Sequence, residues 1–176
     1  MSEATQDPII TERLILRKLQ PSDADAVFNM MLTPATMQYT TRAPLTELHQ
    51  ASTYLSERSG PSMFGVCLKP TSSTPETLIG LLGSVTFPEI GYRFSPSHAG
   101  KGYATEALLA FTPALFKMMP AEQKFAVARV DVENTLHAIG CVFVFFEYGI
   151  VEMGQVFHDG DGESASAEIN AKGSCD

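Results

Sequence analysis

Apolar positions follow two rhythms along this chain, short β-prone runs and stripes at helical spacing, and the order of the two predicts the elements. Arg13 to Leu19 is rich in Leu and Ile, carries charged Arg17 and Lys18 near its end and stops at Pro21, which predicts a first strand. Ser22, with Asp25 three residues on, is placed to cap a helix whose Ala24, Val27, Phe28 and Met31 share one face and which ends before Pro34. After a polar connection, Thr46 is placed to cap a second helix, with Leu48, Ala51 and Leu55 on its apolar side and Gly60-Pro61 as its break.

Phe64 to Leu68 and Leu78 to Phe87 predict two strands, antiparallel in the simplest arrangement, joined by the turn-forming segment from Pro70 to Pro75. Ile90 to Phe94 predicts a short strand that runs through Ser95-Pro96-Ser97-His98-Ala99-Gly100 into a helix beginning near Gly102. That helix carries Ala104, Ala107, Leu108, Phe111 and Leu115 on one face, with Pro113 as a kink. Phe125 to Val132 is almost continuously apolar, as a strand covered on both faces should be. No repeat is visible. The order predicts an α/β fold, a mixed sheet with helices on both faces.

Composition narrows the function. At 176 residues with 44% apolar content the chain suffices for one cored domain, expected over 8–155. From Asp159 onward Gly, Ser, Asp and Glu dominate, so 156–176 is expected to be an acidic, poorly ordered tail. A net charge of -8 supplies no basic footprint, which argues against a nucleic-acid partner. The longest apolar run, Ala138 to Phe146, is nine residues against the ~20 of a membrane helix, and the first residues are acidic and polar. No membrane partner and a cytoplasmic setting are therefore expected. Cys67, Cys141 and Cys175 are odd in number and widely spaced, suiting neither a disulfide framework nor a zinc site, and Cys67 inside a strand pattern reads as a buried structural thiol. Asp159-Gly160-Asp161-Gly162 lacks the rest of a calcium-loop ligand set, so no metal is expected.

Chemistry concentrates where the short strand meets the helix. The first four N–H groups of a helix have no partner inside it, and the helix dipole places about half a positive charge there, so a phosphate group would gain both hydrogen bonds and field. Gly100 and Gly102 would let an anion reach the backbone, Lys101 adds a cation at the rim, and Thr105 and Glu106 occupy the first turn. A Gly-x-Gly turn alone is a weak signal. It is here neither a Walker loop nor the Gly-x-Gly-x-x-Gly dinucleotide fingerprint.

The surroundings are more specific. Glu89-Ile90-Gly91-Tyr92-Arg93-Phe94 followed by Gly100-Lys101-Gly102-Tyr103-Ala104-Thr105-Glu106-Ala107-Leu108 resembles the acetyl-CoA-binding core of GNAT acetyltransferases of the RimJ/RimL-like branch. Thr11-Glu12-Arg13-Leu14-Ile15-Leu16-Arg17 and Pro21-Ser22-Asp23-Ala24 resemble that branch's first strand and helix. The resemblance covers roughly 11–134 and implies a GNAT acyl-CoA N-acyltransferase fold with a mostly antiparallel sheet, acetyl-CoA as co-substrate, and direct transfer of acetyl to a primary amine. It implies that Ala99, Gly100, Lys101, Gly102, Tyr103, Ala104 and Thr105 hold the diphosphate, that backbone groups around Tyr92 and Phe94 hold the pantetheine arm, and that Asn134 is the family asparagine beside the cofactor. Ala99 departs from the family's Gln or Arg, which implies a weakened rather than a lost site because backbone amides make most contacts.

Direct transfer needs a base, since an amine is protonated near neutral pH. Glu89 is the candidate, with an exposed turn acid after Pro88 as the equal alternative. Tyr148 is the one tyrosine late enough to protonate the leaving thiolate, as the superfamily's tyrosine does, although a core or interface role is favoured. His98 and His137 read as solvent-facing. The acceptor, a small-molecule or peptide amine, is left open between a protein N-terminus, a polyamine, an amino acid and a xenobiotic amine. The overall acidity leans toward a cationic one.

Beyond Asn134 the pattern departs from the family. Leu136 to Phe146 is β-branched and aromatic where a helix is expected, which leaves three alternatives: a divergent enzyme, a degenerate CoA-binding module, or an altered C-terminal sequence. If the last strands are missing, an apolar sheet edge is exposed, and a homodimer is one way to cover it.

Overall fold

A computed structural model of the chain describes residues 7–37, 42–58, 60–122, 125–129 and 166–170. The strands are β1 (Ile9–Ile10), β2 (Leu14–Arg17), β3 (Met63–Leu68), β4 (Thr77–Thr86), β5 (Glu89–Phe94), β6 (Phe125–Arg129) and β7 (Ser166–Asn170). They form one sheet in chain order, antiparallel throughout except for the parallel pair β5–β6. The helices are α1 (Ala24–Leu32), α2 (Pro34–Met37), α3 (Leu48–Glu57) and α4 (Tyr103–Met118), with α4 serving as the crossover that a parallel pair requires.

Two cores lie on the two faces of the sheet. On one, Ala107, Leu108, Phe111 and Leu115 of α4 pack on Leu14, Leu16, Phe64, Val66 and Ile90, and Phe64 meets Phe111 edge to face at 5.6 Å. Truncating Phe111 to Ala should cost about 3–5 kcal/mol, since the ring is fully buried. On the other face, Val27, Met30 and Met31 of α1 and Ala51, Tyr54 and Leu55 of α3 close over Leu81. This is the expected α/β arrangement with helices on both faces.

Local differences have local causes. The first helix begins as a 3-10 turn at Pro21–Asp23, and its start is fixed by Asp23, whose Oδ2 accepts from the Gln20 amide at 2.7 Å, rather than by Ser22. Asp23 also binds Arg17 through both oxygens at 2.9 Å, so the buried carboxylate has a cation as well as an amide. Burial alone would raise the Asp23 pKa, but Arg17 and the Gln20 amide bring it below the ordinary value. α3 is capped from Glu47, one residue past Thr46, because Gln50 Oε1 takes the amides of Thr46 and Glu47 at 2.8 and 3.1 Å. Its buried stripe includes Tyr54, while Leu48 in the first turn is 44% exposed. α4 is helical through exposed Pro113.

The largest difference is at the C-terminal side. Ser166–Asn170, inside the stretch expected to be a poorly ordered tail, forms β7 and pairs with β6 over five residues. Its Ser-Ala-Glu-Ile-Asn sequence alternates polar and apolar positions, the strand period that the acidic composition around it obscures. β7 covers the edge of β6 from Phe125 to Arg129. The remainder of that stretch, and the run from Leu136 to Phe146, lie outside the described residues.

Candidate active site

Among the described residues, β5 and β6 register at Glu89 with Val127 and at Ile90 with Ala128. From Gly91 to Phe94, β5 pairs with β4. Tyr92 and Phe94 lie on this stretch, half-buried, with their side chains packed toward the α4 core.

β5 leads through a 3-10 turn at Pro96–His98 to the start of α4. Gly100 and Gly102 take φ of 72° and 77°, the left-handed region, and Gly102 is the N-cap of α4 without a side-chain cap bond. These backbone angles account for both glycines in addition to the close approach of an anion. Glu106 N–H makes the first helical bond, to the Gly102 carbonyl at 3.0 Å. Among the described residues, no acceptor serves the amides from Gly100 to Thr105. Gly100, Lys101, Gly102 and Thr105 are exposed, with Ala99 beside them and Tyr103 and Ala104 half-buried. The turn therefore presents consecutive free donors at the positive end of a 16-residue helix.

A clamp from β2 holds this turn. Arg13 Nη1 donates to the Lys101 carbonyl at 3.0 Å, its guanidinium lies 4.6 Å over the Tyr103 ring, and its Nε meets Glu106 Oε2 at 2.6 Å. Glu106 also accepts from Thr11 Oγ1 and from the Arg13 amide. Burial would raise the Glu106 pKa, but these donors outweigh it and hold the carboxyl below its usual range. The clamp thus neutralises the one acid in the first turn of α4. An open groove of about 720 Å³ flanks the turn on the β1 side, with Ile10, Thr11, Gly102, Thr105, Glu106 and Leu109 in its walls.

The other singled-out residues are placed as follows. Lys101 is exposed and its Nζ donates to the Ser97 carbonyl at 3.2 Å, so it stands at the rim. Glu89 is exposed at the start of β5, opposite Thr86 across the Phe87–Pro88 turn. His98 is half-buried rather than solvent-facing; its ring lies 6.3 Å from that of Tyr103, and burial together with the Lys101 charge lowers its pKa. Cys67 is buried, and burial pushes its thiol up to about 12 despite the opposing charge of Arg17, which leaves it inert. Asn134, His137 and Tyr148 lie outside the described residues. Among the described residues, no helix is long and apolar enough to cross a membrane.

Sequence reasoning missed the clamp. Arg13 and Glu106 are 93 residues apart, and no local spacing announces a contact made only when α4 lies beside β2.

Comparison with known proteins decides the family. Residues 13–138 match the model of the acetyltransferase (GNAT) domain. The chain belongs to the GNAT acetyltransferase family. It is 29% identical over 137 residues to the uncharacterized N-acetyltransferase p20 of Bacillus licheniformis, covering 73% of this chain and 76% of that protein. The fold resembles that of a GNAT-family acetyltransferase from Bacillus anthracis, with a TM-score of 0.71, 24% identity and coverage of 93% and 95% of the two chains. It also resembles a RimL ribosomal-protein acetyltransferase solved in complex with coenzyme A, with a TM-score of 0.67, 15% identity and coverage of 94% and 97%. The GNAT fold and an acetyltransferase assignment follow.

Proposed function

We propose that this GNAT enzyme moves an acetyl group from acetyl-CoA to a primary amine by direct attack, as a cytoplasmic enzyme of the RimJ/RimL-like branch. The observation that carries the reading is the run of six free amides, Gly100 to Thr105, at the start of α4 beside the end of β5. The diphosphate rests on the amides of Gly100, Lys101, Gly102, Tyr103, Ala104 and Thr105, with Ala99 at the edge of the cradle and the Lys101 ammonium at its rim. The pantetheine arm lies along β5 at Tyr92 and Phe94, as an added strand, and carries the thioester toward Glu89. Asn134 completes the cofactor side. The domain is proposed over 8–155, with β7 joining its sheet from beyond that bound.

A primary amine has a pKa of about 10 and must lose a proton before its nitrogen can attack. Glu89, directly or through water, takes that proton. The amine nitrogen bonds to the carbonyl carbon, the carbon–sulfur bond breaks, and the CoA thiolate leaves and is protonated, with Tyr148 as the candidate donor. The oxyanion of the tetrahedral intermediate needs N–H donors, a role for backbone amides of β5.

A thiol-release assay with a panel of primary amines tests this reading. Release of CoA that depends on the amine is expected, with N-acetylated product by mass spectrometry. Saturable acetyl-CoA binding with no release from any amine would instead mark a CoA-binding module without turnover.

A further inference from the structure

Tyr54 of α3 is almost fully buried, and three guanidiniums stand around it. Arg58 Cζ lies 4.8 Å and Arg42 Cζ 5.4 Å from the ring centroid, and Arg93 of β5 stands beside the phenol. Arg58 Nε is buried without a hydrogen-bond acceptor. Among the described residues, no carboxylate lies within ion-pair distance of Arg58 or Arg93. Arg13 and Arg17, by contrast, are neutralised by Glu106 and by Asp23 with Glu76. A half-buried charge without an ion-pair partner is costly, and neighbouring guanidiniums repel one another. Burial and the two neighbouring arginines accordingly disfavour the charged form of Arg93, with the Tyr54 phenol opposing them.

The cluster borders the site. Side chains alternate along β5, so Tyr92 and Phe94 turn to the α4 core while Arg93, paired with Leu81, turns to the α1–α3 core. Glu89 and Gly91 share the face of Arg93. Nothing lies within 4 Å of where a Cβ would stand on Gly91, so open space separates the proposed base from the guanidiniums. Arg58 and Arg93 thus stand on the α1–α3 side of β5, opposite the α4 core.

We propose that Arg58 and Arg93, with Arg42 beside them, receive a carboxylate of the acceptor, so that the amine acetylated here belongs to a molecule that also bears a carboxylate, such as an amino acid. Two carboxylate oxygens match the fork of one guanidinium and leave an edge for a second. This local positive charge outweighs the lean toward a cationic acceptor drawn from overall acidity. The presence of an amine rests on the acetyl-transfer reading; the anion site does not.

The test is calorimetric binding of matched pairs to the protein with and without CoA: L-phenylalanine against 2-phenylethylamine, 4-aminobutyrate against butylamine, and phosphoethanolamine against ethanolamine. In at least one carboxylate pair the acid should bind about tenfold or more tightly, the worth of one charge-assisted hydrogen bond. Arg58→Gln should shrink that preference to within about twofold, and Arg93→Gln should do the same if the first variant fails to fold by circular dichroism. Equal affinity within both carboxylate pairs, or a preference confined to the phosphate pair, would overturn the proposal. A carboxylate preference in a protein that releases no CoA would leave the anion site standing and remove acetyl transfer.

Discussion

The starts of α3 and α4 solve the same problem in opposite ways. At α3, Gln50 Oε1 takes the amides of Thr46 and Glu47, and the Gln50 amide donates back to Glu47. Asp23 does likewise for the first helix through the Gln20 amide. At α4 the cap is a left-handed glycine with no acceptor, and the amides before it are free as well. Helix ends normally satisfy their donors from within, so the terminus that does not is the one built to be satisfied from outside. The clamp from Arg13 supports that contrast: it cancels the Glu106 charge without covering the amides.

Giving α4 a cap should break the difference most severely. Gly102→Asp places a carboxylate among the donors and should weaken acetyl-CoA by about 100-fold, equivalent to ~2.7 kcal/mol, measured by calorimetry. Its left-handed φ should also cost about 1 kcal/mol of stability. Removing the Asp23 carboxylate acts on fold alone. Asp23→Ala leaves half-buried Arg17 with Glu76 alone and removes the acceptor of the Gln20 amide, and should cost roughly 2 kcal/mol in urea unfolding while the folded fraction still binds acetyl-CoA.

Glu106→Gln should loosen the clamp and lower acetyl-CoA affinity by roughly threefold, as expected for a partly exposed ion pair. It also carries a pH signature. Because the folded carboxyl is held below the ordinary glutamate value of about 4.3, its contribution is complete above that value and is lost as pH falls through the lower folded one. A melting-temperature profile from pH 6 downward should therefore fall less steeply in Glu106→Gln than in the wild type. The smallest effect belongs to the capped helix: Gln50→Ala should cost about 1 kcal/mol and leave acetyl-CoA affinity unchanged.

The α4 stripe and its glycine turn were legible in the sequence because both are local, a 3.6-residue period ended by residues with special backbone freedom. Thr46 and Ser22 were plausible caps, yet Gln50 and Asp23 prevailed, each also serving an amide that precedes its helix. What joins distant segments was not legible. The Arg13–Glu106 clamp and the arginines around Tyr54 form only when β2 meets α4 and α3 meets β5. β7 was hidden for another reason, since five alternating residues carry little weight inside an acidic, glycine-rich stretch.

The central claim is that the free amides opening α4 bind a diphosphate, and paired titrations of acetyl-CoA and S-acetylpantetheine address it most directly. The two ligands share the thioester and pantetheine arm, but only the first bears the diphosphate and nucleotide. Affinity for acetyl-CoA should exceed that for S-acetylpantetheine by about 100-fold or more, and the gap should narrow steeply in Gly102→Asp. Equal affinity for the two ligands, or a gap that Gly102→Asp leaves untouched, would contradict the account.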